Sequence, residues 1–228
     1  MSETMDEYLK PAKYIDSDHP EVVAFAERVA GTDGSDIERA IKLYYAVRDD
    51  ILYDLYRPYG RDETYRASDV LLAGKGFCVG KASLLAAACR VVGIPARVGY
   101  ADVRNHLCTP RLLELIGTDL FTWHGYTDIY LDGAWAKATP AFNRTLCETF
   151  GVKTLEYDGR NDSLLQDFDT QGNRHMEYIE QRGTFADVPA AEIIADFRWR
   201  SRACSATATT APAATSRKRR RKSSADSI

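Results

Sequence analysis

Two β-rich runs, residues 121–131 and 134–139, are separated by only Asp132 and Gly133. An Asp-Gly pair between such runs closes a hairpin through a two-residue turn, and a turn that short fixes the pairing register. Leu131 then stands opposite Ala134, Tyr126 opposite Thr139, and His124 opposite Ala141. Thr139 and Asn143 both become diagonal, same-face neighbours of His124, roughly 7–8 Å away between backbones. Asp128 shares the face of His124, but four residues along a strand place it about 13 Å away.

A second stretch, residues 74–97, organises the other half of the chain. Gly74 and Gly76 precede a run of good helix formers, and Cys78 stands where that run begins. Val79, Ala82, Leu85, Ala86, Cys89 and Val92 recur at helical spacing, and Gly93 and Pro95 supply the stop. The thiol therefore falls in the first turn of a buried helix. Unpaired N–H groups and the positive end of the helix dipole favour a thiolate there, so Cys78 is expected to ionise below the usual range and act as a nucleophile. The competing reading is a small buried hydrophobe that happens to open a helix. A base downstream decides between them.

Gly76-Phe77-Cys78 ahead of an Ala/Leu-rich helix, Arg90-Val-Val-Gly-Ile-Pro-Ala-Arg97, Trp123-His124-Gly125-Tyr126 and the Asp132-Gly133 hairpin occur in that order. Together they resemble the transglutaminase-like superfamily over about residues 37–143. The resemblance implies an α+β, papain-like core in which a Cys-bearing helix packs on an antiparallel sheet. It also implies a Cys, His, Asp triad in chain order, carried here by Cys78 and His124. The third position departs from the pattern: the usual Asp-Pro pair is matched by Thr139-Pro140. A threonine hydroxyl sets the tautomer of an imidazole but does not stabilise an imidazolium as a carboxylate does. Asn143 is the other candidate for this role, because an asparagine serves it in papain-like proteases. The expected catalytic set is thus Cys78 and His124, with Thr139 or Asn143 orienting the base. The Cys78 backbone N–H is the expected oxyanion donor. Tyr53 and Tyr65 are placed to reach the same oxyanion or simply to pack.

The bulk of the chain is globular, with 45% hydrophobic and 28% charged residues in 228, enough for one domain of ordinary size. Residues 1–7 are acidic and lack an apolar leader-like core, so the expectation is a cytoplasmic protein without a membrane partner. Five cysteines without close pairing fit free thiols. The net charge of −3 hides an asymmetry. Residues 201–228 hold seven basic side chains against one acid, a net +6, which leaves −9 on the rest. Between 203 and 216 the chain is almost all Ala, Thr, Ser and Pro, which buries too little to order itself. The expected division is a transglutaminase-like domain over 1–200 and a disordered basic tail over 201–228. In that tail the run from Arg217 to Lys222 is a possible nucleic-acid contact through phosphate neutralisation.

Helices are expected over 21–30, over 36–51 behind Ser35 as cap, and over 68–72. Strands are expected over 96–103, 154–158, 163–168 and 176–179, with short helical character at 111–116 and a closing helix over 190–199. His106 and Cys108 stand two apart, but a metal site needs further ligands that the sequence does not offer. No cofactor or metal is expected. The resemblance implies acyl transfer from a peptide or protein amide through a thioester on Cys78, to water or to an amine. A peptide-binding module that keeps the fold without the chemistry is the alternative, favoured by Thr139.

Overall fold

The computed structural model describes residues 5–108, 110, 113, 117–165 and 168–208, with only the backbone for 201–208. The first helices follow local signals. Helix α1, Pro20–Ala30, starts where His19 Nδ1 accepts the Glu21 N–H at 3.3 Å. Helix α2, Asp36–Asp50, opens with a reciprocal capping box: Ser35 Oγ accepts the Glu38 N–H, and the Glu38 carboxylate accepts the Ser35 N–H at 2.8 Å. Helix α3, Ala67–Ala73, ends at Gly74 in the left-handed conformation. Strand β1, Leu52–Tyr53, pairs in parallel with β2, Lys75–Gly76, and this two-residue ladder delivers the chain into helix α4, Cys78–Val91.

Helix α4 is the centre of the core. Every residue from Cys78 to Arg90 is buried, so the helix is apolar nearly all round, as a fully enclosed helix must be. Its three long or polar exceptions each bond backbone carbonyls of neighbouring segments. Lys81 Nζ donates to Arg48 O at 2.9 Å and Ile51 O at 2.5 Å, Ser83 Oγ donates to Tyr14 O, and Arg90 donates to Ala96 O, Lys10 O and Ala186 O. Buried donors without such partners would each cost about 1–3 kcal/mol.

The sheet packs on this helix. Strands β3 (Ala96–Asn105), β4 (Leu120–Leu131), β5 (Ala134–Ala138) and β6 (Met176–Phe185) lie in the order β5-β4-β3-β6, all antiparallel. The hairpin keeps the register that its turn requires, from Leu131 opposite Ala134 to Thr127 opposite Ala138. Thr127 Oγ1 donates to Ala82 O at 2.8 Å, fixing which face of β4 meets α4. Helices α5, Arg144–Phe150, and α6, Ala190–Ala208, follow the hairpin and β6 respectively.

Residues 154–158 form no ladder, and among the described residues of 163–168 Ser163 and Phe168 make only isolated bridges, to Ala138 and Arg174. The reason is competition for the backbone: Leu155 O accepts from Arg48 Nη1 at 2.6 Å and from the Tyr44 hydroxyl at 3.1 Å, so α2 side chains take what a ladder would have used. Strand β6 is longer than expected and α6 runs on to Ala208. Most of residues 111–116, and the run from Arg217 to Lys222, lie outside the described residues.

Candidate active site

Phe77, the residue before α4, provides no side-chain cap. The first-turn N–H groups are therefore left for another acceptor, and the Cys78 sulfur takes that place. The backbone N–H groups of Gly125, Val79 and Cys78 itself, and the Tyr53 hydroxyl, all donate toward it. Strand β5 ends at Ala138, opposite Thr127, so the Gly125 N–H lies beyond the β5 ladder and is free to meet the thiol. The approach is close. A Cβ on Gly125 would stand 3.0 Å from Val79 Cα and 3.3 Å from the Cys78 carbonyl carbon. Only a residue without a side chain lets the helix end come this near, which is the meaning of a glycine inside a strand.

His124 precedes that glycine. Its imidazole is buried, and Nε2 has no hydrogen-bond partner. The pairs Gly99–Tyr126, Ala101–His124 and Val103–Phe121 set His124 and Tyr126 on one face of the sheet. Thr139 follows Ala138, the partner of Thr127, and so falls on the same face as Tyr126. Thr139 is buried, and its Oγ1 also lacks a hydrogen-bond partner; the Tyr178 hydroxyl approaches it without completing a bond. Asn143 is used elsewhere. Its Oδ1 accepts the Tyr53 N–H at 3.2 Å and its Nδ2 donates to Thr145 Oγ1 at 2.6 Å, so the amide steadies Tyr53 and the start of α5.

Burial sets the protonation states. It pushes the Cys78 thiol up to about 11 despite the N–H groups that pull the other way, and it pushes His124 down to about 4. The sequence led us to expect a thiol ionised below its usual range. The closed resting site instead favours a neutral thiol and a neutral imidazole, because desolvation outweighs the helix end. Tyr53 rises well above its usual value, burial being the largest cause, with the neighbouring thiol next. It stays a hydroxyl donor at any physiological pH.

A family model described as the transglutaminase-like superfamily matches residues 23–140, more than half of the 228-residue chain. The chain belongs to the transglutaminase-like superfamily. Its fold is the α+β arrangement that this family implies. No curated protein sequence matches significantly. Among solved structures, a candidate cysteine protease from Cytophaga hutchinsonii aligns at TM-score 0.48 and 16% identity, over 81% of this chain and 55% of that one. A candidate protease from Parabacteroides distasonis aligns at 0.39 and 19%, over 59% and 25%. A structure described as a TGase aligns at 0.38 and 19%, over 58% and 33%. The chain thus spans little more than half the length of the first of these and a third or less of the others.

Cys78, His124 and Thr139 all lie inside the matched residues, and Asn143 lies outside them. The contact of Tyr53 with the sulfur exceeds what its sequence position argued. The close approach at Gly125 was missed in the sequence, although a glycine inside a strand run is the signal that points to one. His106 Nε2 meets Glu177 at 2.9 Å, and among the described residues no group of three or more His, Cys, Asp or Glu side chains is arranged to hold a metal ion. No described helix is long and apolar enough to cross a membrane.

Proposed function

We propose that this chain is a cysteine-dependent acyl-transfer enzyme acting on a peptide or protein amide. As the Cys78 sulfur attacks the amide carbonyl carbon, its proton passes to neutral His124. The oxyanion that forms is met by the Cys78 backbone N–H and the Tyr53 hydroxyl, which already point at the sulfur. The C–N bond then breaks, His124 returns the proton to the leaving amine, and a thioester remains on Cys78. Water or a primary amine attacks the thioester, and the thiol is restored. Thr139, whose hydroxyl and the His124 Nε2 are both buried without partners, occupies the orienting position and leaves Asn143 to hold Tyr53.

The observation that carries this reading is the close packing of Gly125 on Val79 and the Cys78 carbonyl, because it ties the residue after the imidazole to the first turn of the helix that bears the thiol. Resting neutrality suits it: a neutral imidazole is the form that accepts a proton. Thr139 in place of a carboxylate favours a second reading, a peptide-binding module without turnover. Incubation with glutamine- and asparagine-containing peptides separates the two. The enzyme releases ammonia or a peptide amine and loses that release in Cys78→Ala, whereas the module binds peptide and releases nothing. Adding a biotinylated primary amine then tells transamidation from hydrolysis. Release that persists in Cys78→Ala would overturn the assignment.

A further inference from the structure

The backbone just before His124 is strained. Trp123 has φ of 58°, in the left-handed region that a bulky aromatic avoids. It sits in a bulge, since three steps of β4, from His124 to Phe121, oppose two of β3, from Ala101 to Val103. Strand β6 bulges at the same level. Gln181 and Gly183 oppose the consecutive residues Ala101 and Tyr100, leaving Arg182 as the extra residue. Asp102, on the strand between, meets both irregularities. Its buried carboxylate accepts the Trp123 N–H at 3.2 Å and the Arg182 guanidinium through two oxygens, one at 2.8 Å. The guanidinium in turn lies 4.6 Å over the Trp123 ring. On the outer side, the Thr122 hydroxyl donates to Asp196 of α6 at 2.9 Å.

We infer that Asp102, clamped by Arg182, is the positioning residue for the His124 base, because it holds the strained Trp123 backbone from which the imidazole-bearing residue directly follows. Side chains alternate along a strand, so one extra residue transfers everything beyond it to the other face. The bulge is what sets Phe121 and His124, three apart, on the same side of the sheet. A left-handed aromatic persists only where its surroundings over-determine it. Here the carboxylate bonds the N–H that the ladder leaves out, and the cation covers the ring. A chain lacking the usual aspartate at Thr139 therefore keeps another carboxylate in service of the same imidazole, acting through the backbone rather than on the ring.

This inference rests on the reading of His124 as base, and the test separates the two. Asp102→Ala and Arg182→Gln are compared with wild type for amide exchange at Trp123, the 15N resonances and titration of the His124 ring, and acylation of Cys78 by an activated ester. In Asp102→Ala the Trp123 amide is expected to exchange about 100-fold faster, with the ring resonances displaced and titrating nearer the ordinary imidazole range. Acylation falls about 100-fold in kcat with little change in KM. Arg182→Gln keeps the bond to Trp123, gives a smaller shift of the same kind, and carries the test if Asp102→Ala does not fold; Arg182→Lys restores part of it. Folded variants whose ring resonances and acylation match wild type would overturn the inference. If His124→Ala acylates at the wild-type rate, the base assignment fails, and the ring resonances still decide the role of Asp102.

Discussion

Gly125 and Cys78 meet backbone to backbone: a strand residue without a side chain gives its N–H to the sulfur that opens the central helix. The two halves of the site are joined there. Adding one methyl at this glycine forces Val79 and the helix end to move. Gly125→Ala is expected to lower stability by about 2 kcal/mol, measured by urea unfolding, and to reduce Cys78 acylation more than that loss of stability explains.

Acid should weaken the fold through His124. Its folded pKa of about 4 lies below the ordinary 6.5, so between those values the unfolded chain binds the extra proton. The stability contributed is complete above pH 6.5 and is lost as the pH falls toward 4, by up to about 3 kcal/mol. His124→Gln should unfold with a smaller difference between pH 7 and pH 4.5 than wild type in urea titrations. An equal difference in the two proteins would contradict the burial of a neutral ring.

Lys81 works in the opposite range. Burial, the largest cause, brings its ammonium down to about 7 from the ordinary 10.5, so the unfolded chain binds more protons between those values and stability rises with pH there. From pH 7 to pH 9 the gain is about 2 kcal/mol. In Lys81→Met that rise should vanish, while two carbonyls at the end of α2, Arg48 O and Ile51 O, lose their donor and the protein is weaker at pH 9.

Thr139→Asp tests the third position. A carboxylate there would face the buried His124 edge, raise the imidazole pKa and speed acylation, by about 10-fold or more if it orients the ring as a triad acid does. The pH–rate profile reports it: the acid limb should move upward from wild type. An unchanged limb would mean that Thr139 does not address His124.

The hairpin was readable because a two-residue Asp-Gly turn leaves one register, and the observed pairing from Leu131–Ala134 to Thr127–Ala138 follows from it. The helix behind Cys78 was readable from its period and flanking glycines. The failures share one cause, which is tertiary context. Residues 154–158 have strand-like composition, yet Arg48 and Tyr44 on α2 take the Leu155 carbonyl. Asn143 would neighbour His124 if the hairpin ladder ran on, yet β5 ends at Ala138 and the amide bonds Tyr53 and Thr145. The thiol stands at a helix start as expected, yet enclosure raises its pKa where the dipole alone would lower it. Neither the Trp123 bulge nor its Asp102 clamp carries a sequence signal, because a bulge is a property of two strands together.

The most direct test of the account is intact-mass analysis of the protein after brief exposure to an activated ester. One acyl group is expected on Cys78 in wild type, none in Cys78→Ala, and formation slowed by about 100-fold or more in a folded His124→Ala. Acylation of Cys78 at the same rate with and without the imidazole would contradict the claim that His124 activates this thiol.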